Sequence, residues 1–179
     1  GLWEASASAA PTTTSLQADL SVDAVVIGAG FTGLSAALHL AEAGKRVVVI
    51  EANEIGFGGS GRNVGLVNAG MWVKPLELPQ VLGNSYGSRL LKQLGEAPDL
   101  VFGIIEKYQI ACEPVRNGTL HCAVGRAGLL DITDRARQWQ SVGAAVELLD
   151  AKHTYRLVGS RAYRGSLLDF EFDAKDIVN

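Results

Sequence analysis

Two short apolar runs with an amphipathic segment between them open the patterned part of the chain. Residues 22–28 (VDAVVIG) and 46–51 (RVVVIE) are nearly continuous in apolar side chains, as is typical of strands buried on both faces of a parallel sheet. Between them, residues 31–43 repeat apolar positions at the spacing of a helix that packs one face on a sheet, and Gly44 is placed to end that helix. Strand, helix and strand with short links predict a right-handed βαβ unit.

The pattern then changes. Residues 88–109 are predicted to be mainly helical, with Pro98 starting a second helix. Residues 110–115 and 119–124 alternate around Asn117-Gly118, which predicts a β-hairpin with a two-residue turn.

The remaining periodic segments continue this mixture of helices and strands. Residues 127–142 are predicted to form an amphipathic helix ended by Gly143, residues 146–149 a short strand and residues 151–157 a short helix. This order is typical of an α+β region inserted after the βαβ unit. The fold class predicted is therefore α/β, with a Rossmann-type βαβ unit followed by part of an inserted α+β domain.

Composition and charge exclude some classes of partner. The chain has 16 basic and 19 acidic residues and a net charge of −3, without a basic block, so we expect no nucleic-acid partner. No stretch approaches the roughly 20 apolar residues of a spanning helix, and residues 1–21 lack the charged start and apolar core of a secretory signal. The unusual feature is glycine: the 21 glycines cluster at 28–33 and 56–70, where backbone must turn sharply or approach a partner closely.

The two cysteines indicate a reducing compartment. In the predicted hairpin, Cys112 and Cys122 point to opposite faces, so we expect no disulfide and a cytoplasmic location. Neither CxxC nor a Cys/His spacing typical of a metal site is present, so no metal is predicted.

The first glycine cluster is a GxGxxG motif between the first strand and the helix. Gly28 permits the tight turn, Gly30 lets the backbone approach a pyrophosphate, and Gly33 lets the helix pack on the strand. The amides at the helix N-terminus favour phosphate. Glu51, at the end of the second strand, is placed to accept hydrogen bonds from an adenosine ribose and to repel a 2′-phosphate. Together these residues predict a dinucleotide site.

The second cluster favours FAD over NAD. An NAD domain usually passes from its second strand into another helix, whereas here a glycine-rich loop over residues 52–65 follows Glu51 directly. Its consecutive backbone amides and the Ser60 hydroxyl suit an extended dinucleotide. An NAD-dependent dehydrogenase stays the alternative, to be recognised by a nicotinamide requirement.

These segments resemble a known family. VDAVVIGAGFTGLSAALHLAEAGKRVVVIEAN, followed by GGSGRNVGLVNAG, resembles the D-amino-acid-oxidase-like FAD-dependent oxidoreductases of the glycine-oxidase type, and within them bacterial γ-glutamylputrescine and L-pipecolate oxidases. Residues 3–7, the RNGTLH segment at 116–121 and the VELLD strand at 146–150 also fit. The GGSGRN segment is the more specific motif. Relatives often have glycine where this chain has Val64, which makes the local turn harder to predict.

The resemblance implies FAD as cofactor and small amines or amino acids as substrates, with a C–N bond oxidised by hydride transfer to the flavin. It implies that the cofactor is held by Gly28, Gly30, Phe31, Thr32, Gly33, Glu51, Ala52, Gly59, Ser60, Arg62, Asn63, Val64, Gly65 and Leu66. No catalytic residue is assigned. Arg62 and Trp72 are candidates for substrate contacts and His121 for a general base, but structural roles explain each of them at least as well.

The resemblance also implies a division of the chain. The predicted parts are a lead-in over 1–21, the first part of the FAD-binding domain over 22–75, the start of a substrate domain over 76–169 and an atypical end over 170–179. Because the family is longer, we expect a truncated chain, or one whose remaining part is a separate partner chain. A non-catalytic FAD-binding fragment or subunit is the second alternative.

Overall fold

The computed structural model describes residues 5–7, 9–70 and 73–169. The chain divides into two compact units, residues 1–66 and residues 67–179. The predicted boundary near residue 75 stays a prediction. Residues 1–4, 8, 71–72 and 170–179, which include Trp72 and the atypical end, lie outside the described residues.

The first unit contains the predicted βαβ arrangement. Strand β1 (Ala24–Ile27) is followed by helix α1 (Phe31–Glu42) and strand β2 (Val47–Ile50). The two strands are parallel, with Ala24 opposite Val47 and Ile27 opposite Ile50. This confirms the strand–helix–strand prediction, with bounds one or two residues shorter.

Local hydrogen bonds explain the ends of these elements. Gly44 has φ +76°, a left-handed conformation that closes α1, and the Lys45 amide donates to the Leu40 carbonyl at 3.0 Å. At the start of the strands, the Arg46 amide donates to the Asp23 carboxylate at 2.8 Å, which holds the beginning of β2 beside that of β1. The prediction for Gly44 is confirmed.

One face of this two-stranded sheet is only partly covered among the described residues, where Leu16 and Leu20 of the lead-in line a hollow with Val25. Alternate β1 side chains point to opposite faces, and α1 packs on only one of them. Val25 is therefore 53% exposed and Ile27 87% exposed. The expectation that β1 is buried on both faces is wrong for this part of the chain.

The second unit begins with a long helix, α2 (Glu77–Tyr108), that is broken at Gly83. Gly83 has φ 76° and ψ 154°, outside the helical region. Beyond the break the chain folds back so closely that a Cβ on Gly87 would lie 2.4 Å from the Pro79 Cα. The prediction that Pro98 starts a second helix is wrong, because the break comes fifteen positions earlier, where only glycine accommodates the backbone.

Pro98 is tolerated inside α2 because an amide from outside the helix replaces the hydrogen bond that proline cannot make. Proline has no amide to offer the carbonyl four residues before it, which is that of Leu94. The Gly70 amide donates to that carbonyl instead, at 3.4 Å. The lost helical bond is thus replaced by a tertiary one.

The sheet of the second unit is built from β3 (Thr119–Val124), β4 (Val146–Asp150) and β5 (Tyr163–Asp169). Its order is β3-β5-β4, and both pairings are antiparallel. The predicted hairpin is wrong: residues 110–118 contain no strand, and β3 pairs with β5. At Gly118, with φ +74°, an added Cβ would lie 2.5 Å from the Asp169 carbonyl oxygen, so the approach to β5 needs glycine.

Two helices cover this sheet. Helix α3 (Gly125–Ser141) and helix α4 (Ala151–Val158) confirm the predicted helices, and β4 confirms the predicted strand. The buried apolar core consists of Ala123, Ile132, Ala136, Trp139, Val146 and Leu167.

Both cysteines are free, as predicted, although Cys112 lies in an irregular segment. None of the helices within the described residues combines the length and the apolar composition that a membrane-spanning helix requires.

Candidate functional site

The turn between β1 and α1 has the geometry that its glycines predict. Gly28 has φ +101°, its amide donates to the Ile50 carbonyl at 2.7 Å, and nothing lies within 4 Å of where its Cβ would be. A Cβ on Gly33 would lie 2.0 Å from the Gly28 carbonyl oxygen and 3.2 Å from Val26 Cγ1. The first turn of α1 can therefore pack on β1 only because residue 33 is glycine.

The Glu51 carboxylate is fixed by backbone amides. Its Oε2 accepts from the Ala29 amide at 2.8 Å and its Oε1 from the Asn53 amide at 3.0 Å. These hydrogen bonds, with the Ala29 amide contributing most, lower the pKa of Glu51 below its ordinary value. The group is consequently ionised at neutral pH, and each oxygen keeps a lone pair for a hydroxyl donor such as those of a ribose.

Ser60 lies at the N-terminus of α1. Its Oγ accepts from the Phe31 amide at 2.9 Å, and no side chain of the N-cap residue, Gly30, is available to do so. A Cβ on Gly30 would lie 2.9 Å from this oxygen. The absence of a side chain at Gly30 thus makes room for the Ser60 hydroxyl. The motif predicted only that this glycine lets the backbone approach a pyrophosphate.

The loop that carries Ser60 is folded back by backbone hydrogen bonds. The Gly56 amide donates to the Ala29 carbonyl at 3.0 Å, and the Gly61 amide donates to the Gly56 carbonyl at 2.9 Å. A Cβ on Gly61 would lie 2.4 Å from that carbonyl oxygen. Arg62 stacks over the Phe57 ring, 4.8 Å from its centroid, which gives this guanidinium a bracing role in the loop.

The turn around Val64 needs no glycine at that position. Gly65 has φ +76°, and its amide donates to Asn63 Oδ1 at 2.7 Å. Because the left-handed conformation falls on Gly65, Val64 adopts a backbone open to any residue, and its side chain is 71% exposed.

The structure gathers only some of the predicted residues around the α1 N-terminus. The glycine turn, Glu51 and Ser60 are joined there by hydrogen bonds. The rest of the predicted set is exposed and has no hydrogen bond to that turn in the described part of the chain: Ala52, Gly59, Arg62, Asn63, Val64, Gly65 and Leu66. Their assignment to the cofactor stays a prediction.

Three residues that shape this site were not predicted from the sequence. The Ala29 amide holds Glu51, and Ala29 itself is only 2% exposed. Gly56 and Gly61 make the close contact that folds the loop back. Glycines five positions apart in an irregular loop are a signal for such self-contact, but the pattern does not tell which carbonyl each one meets. Of the other candidates, His121 lies on β3 opposite Leu167, in the second unit.

The residues present fit an ADP-containing dinucleotide. The glycine turn leaves open space beside Gly28, and the early amides of α1 have no acceptor within the helix. Glu51 offers the acceptors that a ribose diol needs. Among the described residues, no group of three His, Cys, Asp or Glu side chains could hold a metal ion.

A family comparison agrees with this geometry. The model of a family described as FAD dependent oxidoreductase (DAO) matches residues 23–175. The chain belongs to the FAD-dependent oxidoreductase family. The resemblance inferred from the two glycine segments is thereby confirmed, and the enzymes of this family use FAD.

Curated relatives are similar over most of this chain. Gamma-glutamylputrescine oxidoreductase of Escherichia coli K12 is 41% identical over 160 residues, which cover 86% of this chain and 36% of the relative. A probable oxidoreductase, OrdL, of Haemophilus influenzae is 35% identical over 149 residues, covering 82% and 34%. The chain therefore spans about a third of the length of these two relatives.

Solved structures support the fold. Glycine oxidase from Geobacillus kaustophilus has a TM-score of 0.67 at 20% identity, with 84% of this chain and 39% of that chain covered. L-Amino acid deaminase from Proteus myxofaciens has a TM-score of 0.68 at 18% identity, with 90% and 35% covered. The α/β fold with a Rossmann-type unit is thus confirmed.

Proposed function

We propose that the protein to which this chain belongs binds FAD and oxidises a C–N bond of an amine or amino acid. The observation that carries the proposal is the Glu51 carboxylate, which two backbone amides hold beside the glycine turn. The names of the relatives and structural neighbours support the substrate class. When bound, FAD supplies the hydride acceptor, and the imine left on the substrate is hydrolysed by water.

In this proposal the residues of the chain bind and orient the cofactor. Glu51 accepts from the adenosine ribose hydroxyls, and its negative charge disfavours a 2′-phosphate. The first amides of α1, at Thr32 and Gly33, donate to the pyrophosphate. Gly59, Arg62 and the segment 63–66 follow the dinucleotide toward its ring system.

The partners proposed are a small amine or amino acid and the remaining part of the enzyme. Exposed Val25 and Ile27 support the second, because such an apolar sheet face is normally covered. The free thiols Cys112 and Cys122 support a reducing, cytoplasmic location.

The test is a visible absorption spectrum of the desalted protein in its complete encoded length, with an intact mass on the same sample. We expect a retained flavin spectrum, and reduction of the flavin by one or more members of an amine and amino-acid panel. Glu51→Gln is expected to weaken FAD binding, whereas the matched control Glu147→Gln, on an exposed carboxylate of the second unit, is expected to leave it unchanged. A colourless protein that takes up no added FAD would contradict the proposal, and a nicotinamide requirement would favour a dehydrogenase.

A further inference from the structure

Both polar atoms of the Asn63 side chain are used inside the glycine loop. Its Nδ2 donates to the Ser60 carbonyl, and its Oδ1 accepts from the Gly65 amide at 2.7 Å. Ser60 lies in a single 3₁₀ turn, Gly59–Gly61, in which both of its neighbours are glycine. Asn63 therefore adds two side-chain hydrogen bonds to the backbone bonds that hold the turn carrying the Ser60 hydroxyl.

The Ser60 hydroxyl lies at the N-terminus of α1 and keeps its hydrogen-bond donor. A serine hydroxyl has one donor and two acceptor positions. Accepting from the Phe31 amide at 2.9 Å uses one acceptor position, so its O–H can still donate. Phe31 is 66% exposed, which indicates that this end of the helix is open to an approaching group.

The donor is needed because two amides of the turn are already engaged. The Ala29 amide donates to Glu51 and the Phe31 amide to Ser60, so neither is free for a phosphate oxygen. The Ser60 O–H replaces the donor that Phe31 gives up. It does so at the positive end of the helix, where an anion is favoured.

We propose that Asn63 is a positioning residue that acts through Ser60: it fixes the 3₁₀ turn so that the Ser60 hydroxyl accepts from the Phe31 amide and donates to a phosphate oxygen of the dinucleotide. This inference rests on the proposed FAD-binding function. It differs from the role that the family resemblance implies, in which Asn63 itself lies along the cofactor.

A double-mutant cycle on FAD affinity tests the inference. FAD is titrated into the apoprotein of complete encoded length, and flavin fluorescence gives Kd for wild type, Ser60→Ala, Asn63→Ala and the double variant. Loss of one hydrogen bond to a charged group predicts a Kd about tenfold higher for each single variant. If Asn63 acts through Ser60, the double variant binds about as tightly as Ser60→Ala alone.

Two further pairs separate this role from a general effect on folding. Ser60→Thr keeps the hydroxyl and is expected to bind within about threefold of wild type, whereas Ser60→Val, which has the shape of the threonine variant but no hydroxyl, is expected to lose about tenfold. Asn63→Asp keeps the acceptor for Gly65 but replaces the donor to the Ser60 carbonyl, so it is expected to behave as Asn63→Ala.

The outcomes distinguish the inference from the proposed function. A wild-type protein without FAD affinity overturns both. A wild type that binds FAD, with additive losses of about a hundredfold in the double variant, overturns only the inference, because Asn63 would then contact the cofactor itself. Equal affinities for the threonine and valine variants would also overturn it.

Discussion

Replacing Gly33 by alanine should disrupt the start of α1. The added Cβ would lie 2.0 Å from the Gly28 carbonyl oxygen, and anything under 3.0 Å requires the backbone to move. The group under 3.0 Å is the main-chain carbonyl of Gly28, and Gly28 is already held at φ +101° with its amide on the Ile50 carbonyl. Relief must therefore come from moving the helix off the strand by more than about 1 Å.

The expected cost follows from overpacking. Inserting a methyl group into a filled space costs about 1–3 kcal/mol, and a clash with rigid backbone belongs at the upper end. A loss of about 3 kcal/mol corresponds to local opening that is more than a hundredfold more frequent. We expect amide hydrogen exchange over α1 and β1 to accelerate by that factor, and FAD affinity to fall with it.

The matched control is Gly95→Ala. Gly95 lies on the exposed side of α2, and nothing is within 4 Å of where its Cβ would be. This change should stabilise the helix by about 0.5–1 kcal/mol. If Gly33→Ala exchanged α1 amides as slowly as wild type and bound FAD as tightly, the packing role derived for Gly33 would be refuted.

Three further changes have definite expected results. Backbone amides lower the pKa of Glu51, so its contribution to the free energy of unfolding is present above the ordinary glutamate pKa and is lost as pH falls through the lowered value. Glu51→Gln should therefore flatten the acidic part of a profile of thermal unfolding midpoint against pH. Gly70→Ala should lower the unfolding midpoint, because its Cβ would lie 2.5 Å from the Trp139 ring and φ is +90°; an unchanged midpoint would contradict this packing. Thr154→Val should cost about 1–3 kcal/mol in urea unfolding, because it leaves the buried Ser166 hydroxyl without its 2.9 Å partner; a cost below 0.5 kcal/mol would show that Ser166 finds another partner.

The βαβ unit could be predicted from the sequence because its signals are local. The apolar runs, the helical period and Gly44 all concern neighbouring residues, and the structure follows them to within one or two positions. The roles of Gly28 and Gly33 were also predictable, because a turn of this length between strand and helix leaves one path for the backbone.

The second unit shows what local signals miss. Asn117-Gly118 is a strong hairpin signal, but β3 pairs with β5, about forty to fifty residues later in the chain. Apolar and polar residues alternate only weakly in the β5 sequence YRGSLLD. The strand is central in its sheet and is packed against helices. Pro98 was the obvious helix breaker, but the Gly70 amide supplied the missing hydrogen bond and the break fell at Gly83.

The sequence by itself determined the dinucleotide fingerprint, the family and the nature of the cofactor, because GxGxxG, Glu51 and the glycine loop are contiguous and their chemistry is fixed by residue type. Only the tertiary structure decided that Ser60 lies at the Phe31 amide, that Ala29 holds Glu51 and that both polar atoms of the Asn63 side chain bond within its own loop. Those contacts join residues more than twenty positions apart or depend on the path of an irregular loop. Hydrogen-bond geometry in three dimensions selects them, and no periodicity along the chain encodes it.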